Sequence, residues 1–449
     1  MKVFKTKRGL NIPLSGIASE KITTASLPKL WALTEANWQG LQPKILVHEG
    51  DVVFVGTPLV TDKKNGIVVG TSAVSGVVKE IRRGERRKLL AVIIEPDGKR
   101  EQVADLPTLS VNASPEATAK ALCQTGLGLL FHRRPYDICI DGTRIPRDIF
   151  VSCFNLMPLA ADFDFVIKGK EHDFETGIRI LKNIAPVHLG IRPTQTNAEW
   201  ISEEDADINI FDGPNPSGNV GVQIHHIAPT GKNDEVWTID PAGVCLIGAY
   251  ALTGKLNWER TIAVAGDKVT EPSYLRILAG SPISEILANI PLKETEDVRI
   301  IDGNPLTGTH TDVDAFTALR TTEVCAIAEG HNKHEVLGWI LPRFKDFSVS
   351  RSYFSWLQKS KAKSLDCRIK GGKRQMIMSG EYDRVLPMDV LGEFLIKAII
   401  TGDIDKQEAL GIYEVAPEDF AVAEFVDSSK LELQRVIREG LDILRKENE

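Results

Sequence analysis

From Ile45 to Pro96 the chain alternates apolar and polar residues in short runs broken by glycine, ILVHEGDVVFVGTPLVTDKKNGIVVGTSAVSGVVKEI and then LLAVIIEP. Period-two alternation gives each strand one buried and one wet face, and the glycines supply turns, so this stretch folds as an all-β unit. The period then changes. Between about Asp105 and Gly254, apolar runs (DICIDG, DIFVSCFN, DFVIKG, PVHLGI, DINIFDG) alternate with helical stretches at 171–184 and near 242–253. In the first of these helices Phe174, Ile178 and Leu181 fall on one face. Such βαβ alternation predicts a parallel-sheet α/β domain. From Lys255 to about Leu341, short strands (RTIAVAG, DVRIIDG, EVCAIAEG, EVLGWIL) surround a helix at 282–288, the pattern of a small β-grasp module. The tail reads as helical. Pro387 precedes a helix with an apolar face of Leu391, Phe394, Leu395, Ala398 and Ile399 that Gly402 ends. Asp403 caps the next, Pro417 starts another, and Leu433, Val436, Ile437, Leu441 and Leu444 stripe the last. The expected division is 1–104, 105–254, 255–341 and 342–449.

The 449 residues suffice for several domains, each with its own core. Lys and Arg total 54 against 61 Asp and Glu, interspersed along the chain, which disfavours nucleic-acid binding. The most apolar stretch, Ile149 to Ala161, is interrupted by Ser152, Asn155 and Pro158 and falls short of the roughly 18 residues of a spanning helix. Met1 to Leu14 carries Lys2, Lys5, Lys7 and Arg8 but no apolar core or cleavage site, so no secretory signal is expected and a cytoplasmic location is. The six cysteines form no C-x2-C pair, hence no zinc or cluster framework.

The segment Thr125–Gly126–Leu127–Gly128–Leu129–Leu130–Phe131–His132–Arg133–Arg134–Pro135 begins like a phosphate-cradling loop and then loses its glycines. Bulky residues there block the close backbone approach that phosphates need. Arg133 and Arg134 are either a solvated pair before a turn, the preferred reading, or a grip for an anion or a partner's carboxylate. Arg82, Arg83, Arg86, Arg87 and Lys88 fall on a β-turn as a solvated run, with an acidic partner or anionic lipid as the sharper reading. Phe211 to Gly221 is dense in turn residues and leads to His225–His226, which on a strand point to opposite sides and cannot share a metal. His331 and His334 have metal-like spacing without further ligands, and a polar turn explains them. No nucleophile elbow or P-loop occurs. The β unit resembles the lipoyl and biotinyl carriers, a barrel-sandwich hybrid, with Lys63 near the acylated tip, yet the flanking Thr61 to Gly66 lacks their signature.

Two segments keep the C-x2-C-x2-C-x3-C frame of an iron-sulfur loop with no cysteine in it. One reads Met376, Ser379, Tyr382, Leu386 and then Pro387; the other reads Val415, Glu418, Ala421, Phe425 and then Val426. Soft iron requires thiolates, so neither frame holds a cluster.

PSGNVGVQIHH, AGVCLIGAYALTGKLNWERTIAVAGDKV and IIDGNPLTG resemble the flavin-carrying subunit of respiratory complex I and the C subunit of the Rnf complex. KRGLNIPLSG, SAVSGVVKEIRRGERRKL, FDGPNPSG, KDFSVSRSYF and YDRVLPMD extend over nearly the whole chain a closer resemblance, to the A-subunit family of the Na+-translocating NADH:quinone reductases. The resemblance implies a multidomain α/β and α+β fold: a barrel-sandwich hybrid, a Rossmann-like domain, an SLBB-like β-grasp domain, and a helical domain like a ferredoxin's without clusters. It implies a peripheral, cofactor-free subunit on the cytoplasmic face of the bacterial inner membrane, partnered by subunits B to F of a six-subunit complex. That complex uses NADH, flavins, an iron-sulfur cluster and ubiquinone, and exports Na+. The role implied lies near the reduction of ubisemiquinone to ubiquinol, with ubiquinone a further candidate partner. No catalytic, cofactor-binding or metal-ligating residue is named by it. The alternative is a flavin- or NADH-binding electron-transfer subunit of the Rnf or complex I type.

Overall fold

Four sheets and a C-terminal helical bundle make up the computed structural model, which describes residues 1–202, 204–331, 340–344, 346–349, 353–358 and 362–448. The glycine-rich β region forms two facing sheets. One is antiparallel with strands Trp31–Thr34, Leu89–Pro96, Gly76–Arg83 and Val52–Val53; the other holds Pro43–Ile45, Pro58–Asp62 and Val69–Thr71. Val53, Leu59, Val78, Val92 and Ile94 belong to their shared core. Gly76 is required by the pairing, since a Cβ there would lie 2.1 Å from the Glu95 carbonyl oxygen.

The central sheet has seven strands in the order Lys2–Lys5, Asp207–Asp212, Val187–Ile191, Asp148–Ser152, Val236–Thr238, His132–Arg134, Ile138–Cys139. The first five run parallel and the last two close as an antiparallel hairpin. From Asp148–Ser152 the chain steps outward to 187–191 and 207–212, then crosses back to lay Val236–Thr238 on the other side of its starting strand. Ligand crevices of open α/β sheets lie at such reversals, outside the carboxyl ends of the strands. Ile149, Phe150 and Val151 are all buried, as expected of a parallel strand covered on both faces. The helices Glu171–Lys182 and Pro241–Thr253 touch through Gly177 and Gly248; a Cβ on Gly248 would fall 1.7 Å from the Asp173 carbonyl oxygen.

The third region is a six-stranded mixed sheet, ordered Thr309–Thr311, Val298–Asp302, Glu323–Ala328, Glu259–Ala265, Ser273–Leu278, Ser19–Thr24, with the helix Ile283–Asn289 sharing its core. Ser273–Leu278 and Thr309–Thr311 are strands the sequence reading missed, whereas EVLGWIL runs into 332–339, outside the described residues. Among the described residues no helix is long and apolar enough to cross a membrane.

Three expectations need correction. Residues 1–24, assigned to the β unit, instead add Lys2–Lys5 to the edge of the central sheet and Ser19–Thr24 to the edge of the third. The start of the expected C-terminal domain also lies elsewhere: Lys363 bridges Leu14, Asp366 bridges Ala328, and Leu365 and Cys367 pack with Ile301 and Ile327. In the helix Gly392–Ile400, Leu391 and Phe394 are 57% and 54% exposed while Ile396 is fully buried, so the packed face is rotated by about one residue from the expected stripe.

Candidate functional site

At the crossover point the structure has a cavity of about 220 Å³. Its floor follows the strand ends: Ser152, Phe154 and Asn155 leave Asp148–Ser152, while Thr238, Ile239 and Asp240 leave Val236–Thr238. The turn-rich segment ends at Gly218 and Asn219, which line the cavity with Val220, the first residue of the helix Val220–Ile227. Asn304, Thr307, Arg320 and Thr322 of the third region close one side, and Glu418 of the C-terminal bundle another. Leu130, Met157 and Phe163 supply apolar surface.

The charged groups of the lining differ in how they are matched. Asp240 receives Arg260 at 2.6 Å and the Gly243 N–H at 2.8 Å. Glu418 receives Arg134 at 2.9 Å. Arg320 has neither hydrogen bond nor ion pair among the described residues, and its Nε is buried without a partner. His132 Nδ1 lies 3.0 Å from Asp137 Oδ1. Asp137 is held ionised, well below the usual carboxylate range, because Arg134, His132 and Arg438 outweigh its burial. Nδ1 therefore carries the proton, leaving Nε2 as an acceptor that finds no partner. Burial, then repulsion by Arg320, depresses His132 to about 4, so the ring is neutral at pH 7.

Behind the cavity wall Arg134, only 3% exposed, is faced by Glu418 at 2.9 Å, Asp419 at 3.7 Å and Asp137 at 3.8 Å. Arg438 of the last helix adds a 2.7 Å contact to Asp137. Burial raises Glu418 to about 7 against the pull of Arg134, and raises Asp419 as well. This network fastens the edge of the central sheet to the C-terminal bundle.

The arginine pair expected at a surface turn is thus internal. Arg133 contacts Asp141 at 3.2 Å and Glu235 at 3.5 Å, and both arginines are buried on the His132–Arg134 strand, where they line a second, polar cavity with Tyr136 and Asp141. Arg82 pairs with Glu80, and Arg83 donates to the Arg87 carbonyl, on a hairpin whose tip is exposed. Lys63 is exposed where the Pro58–Asp62 strand ends. The glycine-poor loop follows the carboxyl end of the helix Pro115–Gln124, and Leu127, Leu129 and Leu130 are buried in the core. His225 and His226 lie on a helix rather than a strand; His225 meets Glu414 at 2.7 Å and accepts the Asp389 N–H, while His226 packs edge-on against Phe4 and Phe211. His331 is exposed and His334 lies outside the described residues. No cluster of three or more His, Cys, Asp or Glu is placed to hold a metal among the described residues. In the sulfur-free frames Tyr382, Leu386 and Val415 are buried in one apolar cluster, Met376 packs against it, and Phe425 packs against another. Arg320 and Asn304 were invisible beforehand, because isolated polar residues announce no site without the fold that assembles them.

Family descriptions match three parts of the chain: "NqrA N-terminal barrel-sandwich hybrid domain" over 4–97, "NqrA second alpha/beta domain" over 113–256, and "NQRA C-terminal domain", an SLBB domain, over 261–312. Among similar proteins, one of Neisseria meningitidis serogroup B is 34% identical over 450 residues, spanning 99% of this chain and all of the relative. One of Neisseria gonorrhoeae is 33% identical with the same coverage, and one of Haemophilus influenzae is 33% identical over 447 residues, 98% of this chain and 99% of the relative. All three are named as the A subunit of a Na(+)-translocating NADH-quinone reductase.

Proposed function

The chain belongs to the NqrA family, the A subunits of the Na(+)-translocating NADH-quinone reductases, and from that premise we propose that it serves as a peripheral, cofactor-free subunit docked on the cytoplasmic face of the bacterial inner membrane. Its partners are subunits B to F of a six-subunit complex that passes electrons from NADH to ubiquinone and exports Na+. The chain acts at the ubisemiquinone-to-ubiquinol step, or in assembling the place where that step occurs. In the same reading the central domain is Rossmann-like, the third a β-grasp, and the C-terminal bundle a ferredoxin-like domain without clusters. The single observation carrying the proposal is the end-to-end match to relatives of the same length. Tyr382, Leu386 and Val415, which stand at ligand places of the two iron-sulfur frames, are packed apolar side chains, which supports the cofactor-free reading. Epitope-tagged chain extracted in mild detergent is expected to bring down membrane flavoproteins; recovery of the chain alone refutes the proposal.

The position of the cavity, where doubly wound sheets bind nucleotides, favours one second reading, a flavin-carrying electron-transfer subunit. It predicts a flavin absorption band at near-stoichiometric occupancy in the purified chain. Cofactor-free function predicts none.

A further inference from the structure

We propose that the region from Leu341 to Arg374 seats the chain on an anionic lipid surface, its exposed apolar side chains entering the headgroup layer and its cations pairing with lipid phosphates. Geometry and charge carry this together. Leu341, Phe344, Phe354, Trp356 and Leu357 are apolar yet between 42% and 62% exposed. The short helix Phe354–Gln358 bears three of them and is tied to the other two: the Phe354 N–H donates to the Pro342 carbonyl at 3.0 Å, and the Phe344 and Phe354 rings lie 5.8 Å apart. With about 150–250 Å² on each aromatic side chain, Phe344, Phe354 and Trp356 alone expose on the order of 300 Å², already the size of the largest apolar patch on many monomers. The patch stands on a fixed base. Lys363 is buried, donates to the Phe344 carbonyl at 3.3 Å, and is held through its backbone by Pro13 at 2.7 Å and Ser15 at 2.8 Å.

Charge decides what covers this patch. Residues 343–374 hold six Lys and four Arg against Asp346 and Asp366, in a chain whose net charge is −7. Lys345, Arg351, Lys359 and Lys361 lie outside the described residues and count by sequence alone. Asp346 is shared by Arg343 at 3.0 Å and Lys370 at 3.6 Å, and Asp366 is met by Arg368 at 2.9 Å, so these acids offset only a minority of the cations. Lys370 and Arg374 are exposed. Protein interfaces are depleted of Lys, whereas Trp, Phe and Leu beside Lys and Arg make up segments that lie in the plane of a bilayer surface. The inference rests on the peripheral placement proposed above, and vesicles without partner subunits test it separately from recovery of those partners.

The test is cosedimentation of the full-length chain with vesicles of equimolar phosphatidylcholine and phosphatidylglycerol, and of phosphatidylcholine alone. Binding is expected to the first, about tenfold or more weaker to the second, and reduced by added salt. Phe354→Ser with Trp356→Ser is expected to weaken it about tenfold or more. Lys370→Gln with Arg374→Gln is expected to weaken it about twentyfold, at roughly fivefold per cation. Leu391→Ser with Phe394→Ser, which removes exposed apolar residues elsewhere, is expected to retain wild-type binding. Unfolding temperatures verify that each variant folds. No binding to the phosphatidylglycerol vesicles overturns the proposal and leaves the patch to a protein partner. Equal binding to both vesicles, undiminished binding in either of the first two double variants, or an equal loss in the Leu391 and Phe394 variant also overturns it.

Discussion

Replacing Arg134 by methionine keeps most of the side chain's volume while removing its charge, and strands three carboxylates of which one has no recourse. Asp137 retains Arg438 at 2.7 Å and His132 at 3.0 Å. Glu418 is 38% exposed at its side chain and can be solvated or take up a proton. Asp419 is fully buried; its Oδ2 keeps the Ala416 N–H at 2.9 Å, the Asn219 side chain is its other polar neighbour, and Oδ1 lacks a partner among the described residues. Removing one partner of a buried ion pair costs about 3–5 kcal/mol, nearly all of it the penalty on the charge left behind. Here that penalty falls on Asp419. Arg134→Met is therefore expected to lose about 3–5 kcal/mol, and adding Asp419→Asn to recover a large part, because the double variant has no stranded carboxylate. Equilibrium urea unfolding gives the energies. Amide exchange in the helix Leu433–Asn448 locates the loss, since Arg438 joins that helix to the same network. A single variant losing under about 1 kcal/mol, or a double variant no more stable than the single, refutes the reasoning.

The network also makes stability depend on pH in two opposed ways. Glu418, raised from 4.5 to about 7, keeps its proton better in the folded chain, so its contribution is present below about 4.5 and lost as pH rises to about 7. His132, lowered from 6.5 to about 4, contributes above about 6.5 and is lost as pH falls to about 4. Glu418→Gln is expected to flatten the first slope alone, measured as unfolding temperature from pH 4.5 to 7; an unchanged difference curve counts against it. Restoring Cys at Met376, Ser379, Tyr382 and Leu386 is expected to cost about 3 kcal/mol or more, all from Tyr382 and Leu386, each 1% exposed. The Met376 and Ser379 changes alone leave urea stability near wild type. Gly248→Ala is expected to force the helices 171–182 and 241–253 apart and cost about 1–3 kcal/mol, read from thermal unfolding.

Much of the fold was legible because hydrophobic period reports directly on local structure. Phe174, Ile178 and Leu181 were placed on a buried helical face from spacing alone, and all three are buried. What stayed hidden depends on pairing between distant segments. Lys2–Lys5 has no apolar alternation, because an edge strand needs only backbone partners, and the partner Asn209 is far along the chain. Arg133 and Arg134 looked solvated because a doublet of arginines usually is. Only the fold brings Glu235 and Asp419 to them, and neither acid is near in sequence. The His225–His226 pair was misplaced because VGVQIHHI is rich in β-branched residues, yet the segment forms a helix that starts after Asn219. The cavity was unreadable for the same reason, since its lining converges from three separate regions.

The placement of the first 24 residues sets a timetable for synthesis. Lys2–Lys5 leaves the ribosome early, yet its partner strand Asp207–Asp212 follows roughly two hundred residues later, a wait on the order of ten to forty seconds at ordinary elongation rates. Ser19–Thr24 waits longer still, for Ser273–Leu278. Each of these strands is thus made well before the strand that pairs it, and over that interval its backbone hydrogen-bonding groups lack their native partner.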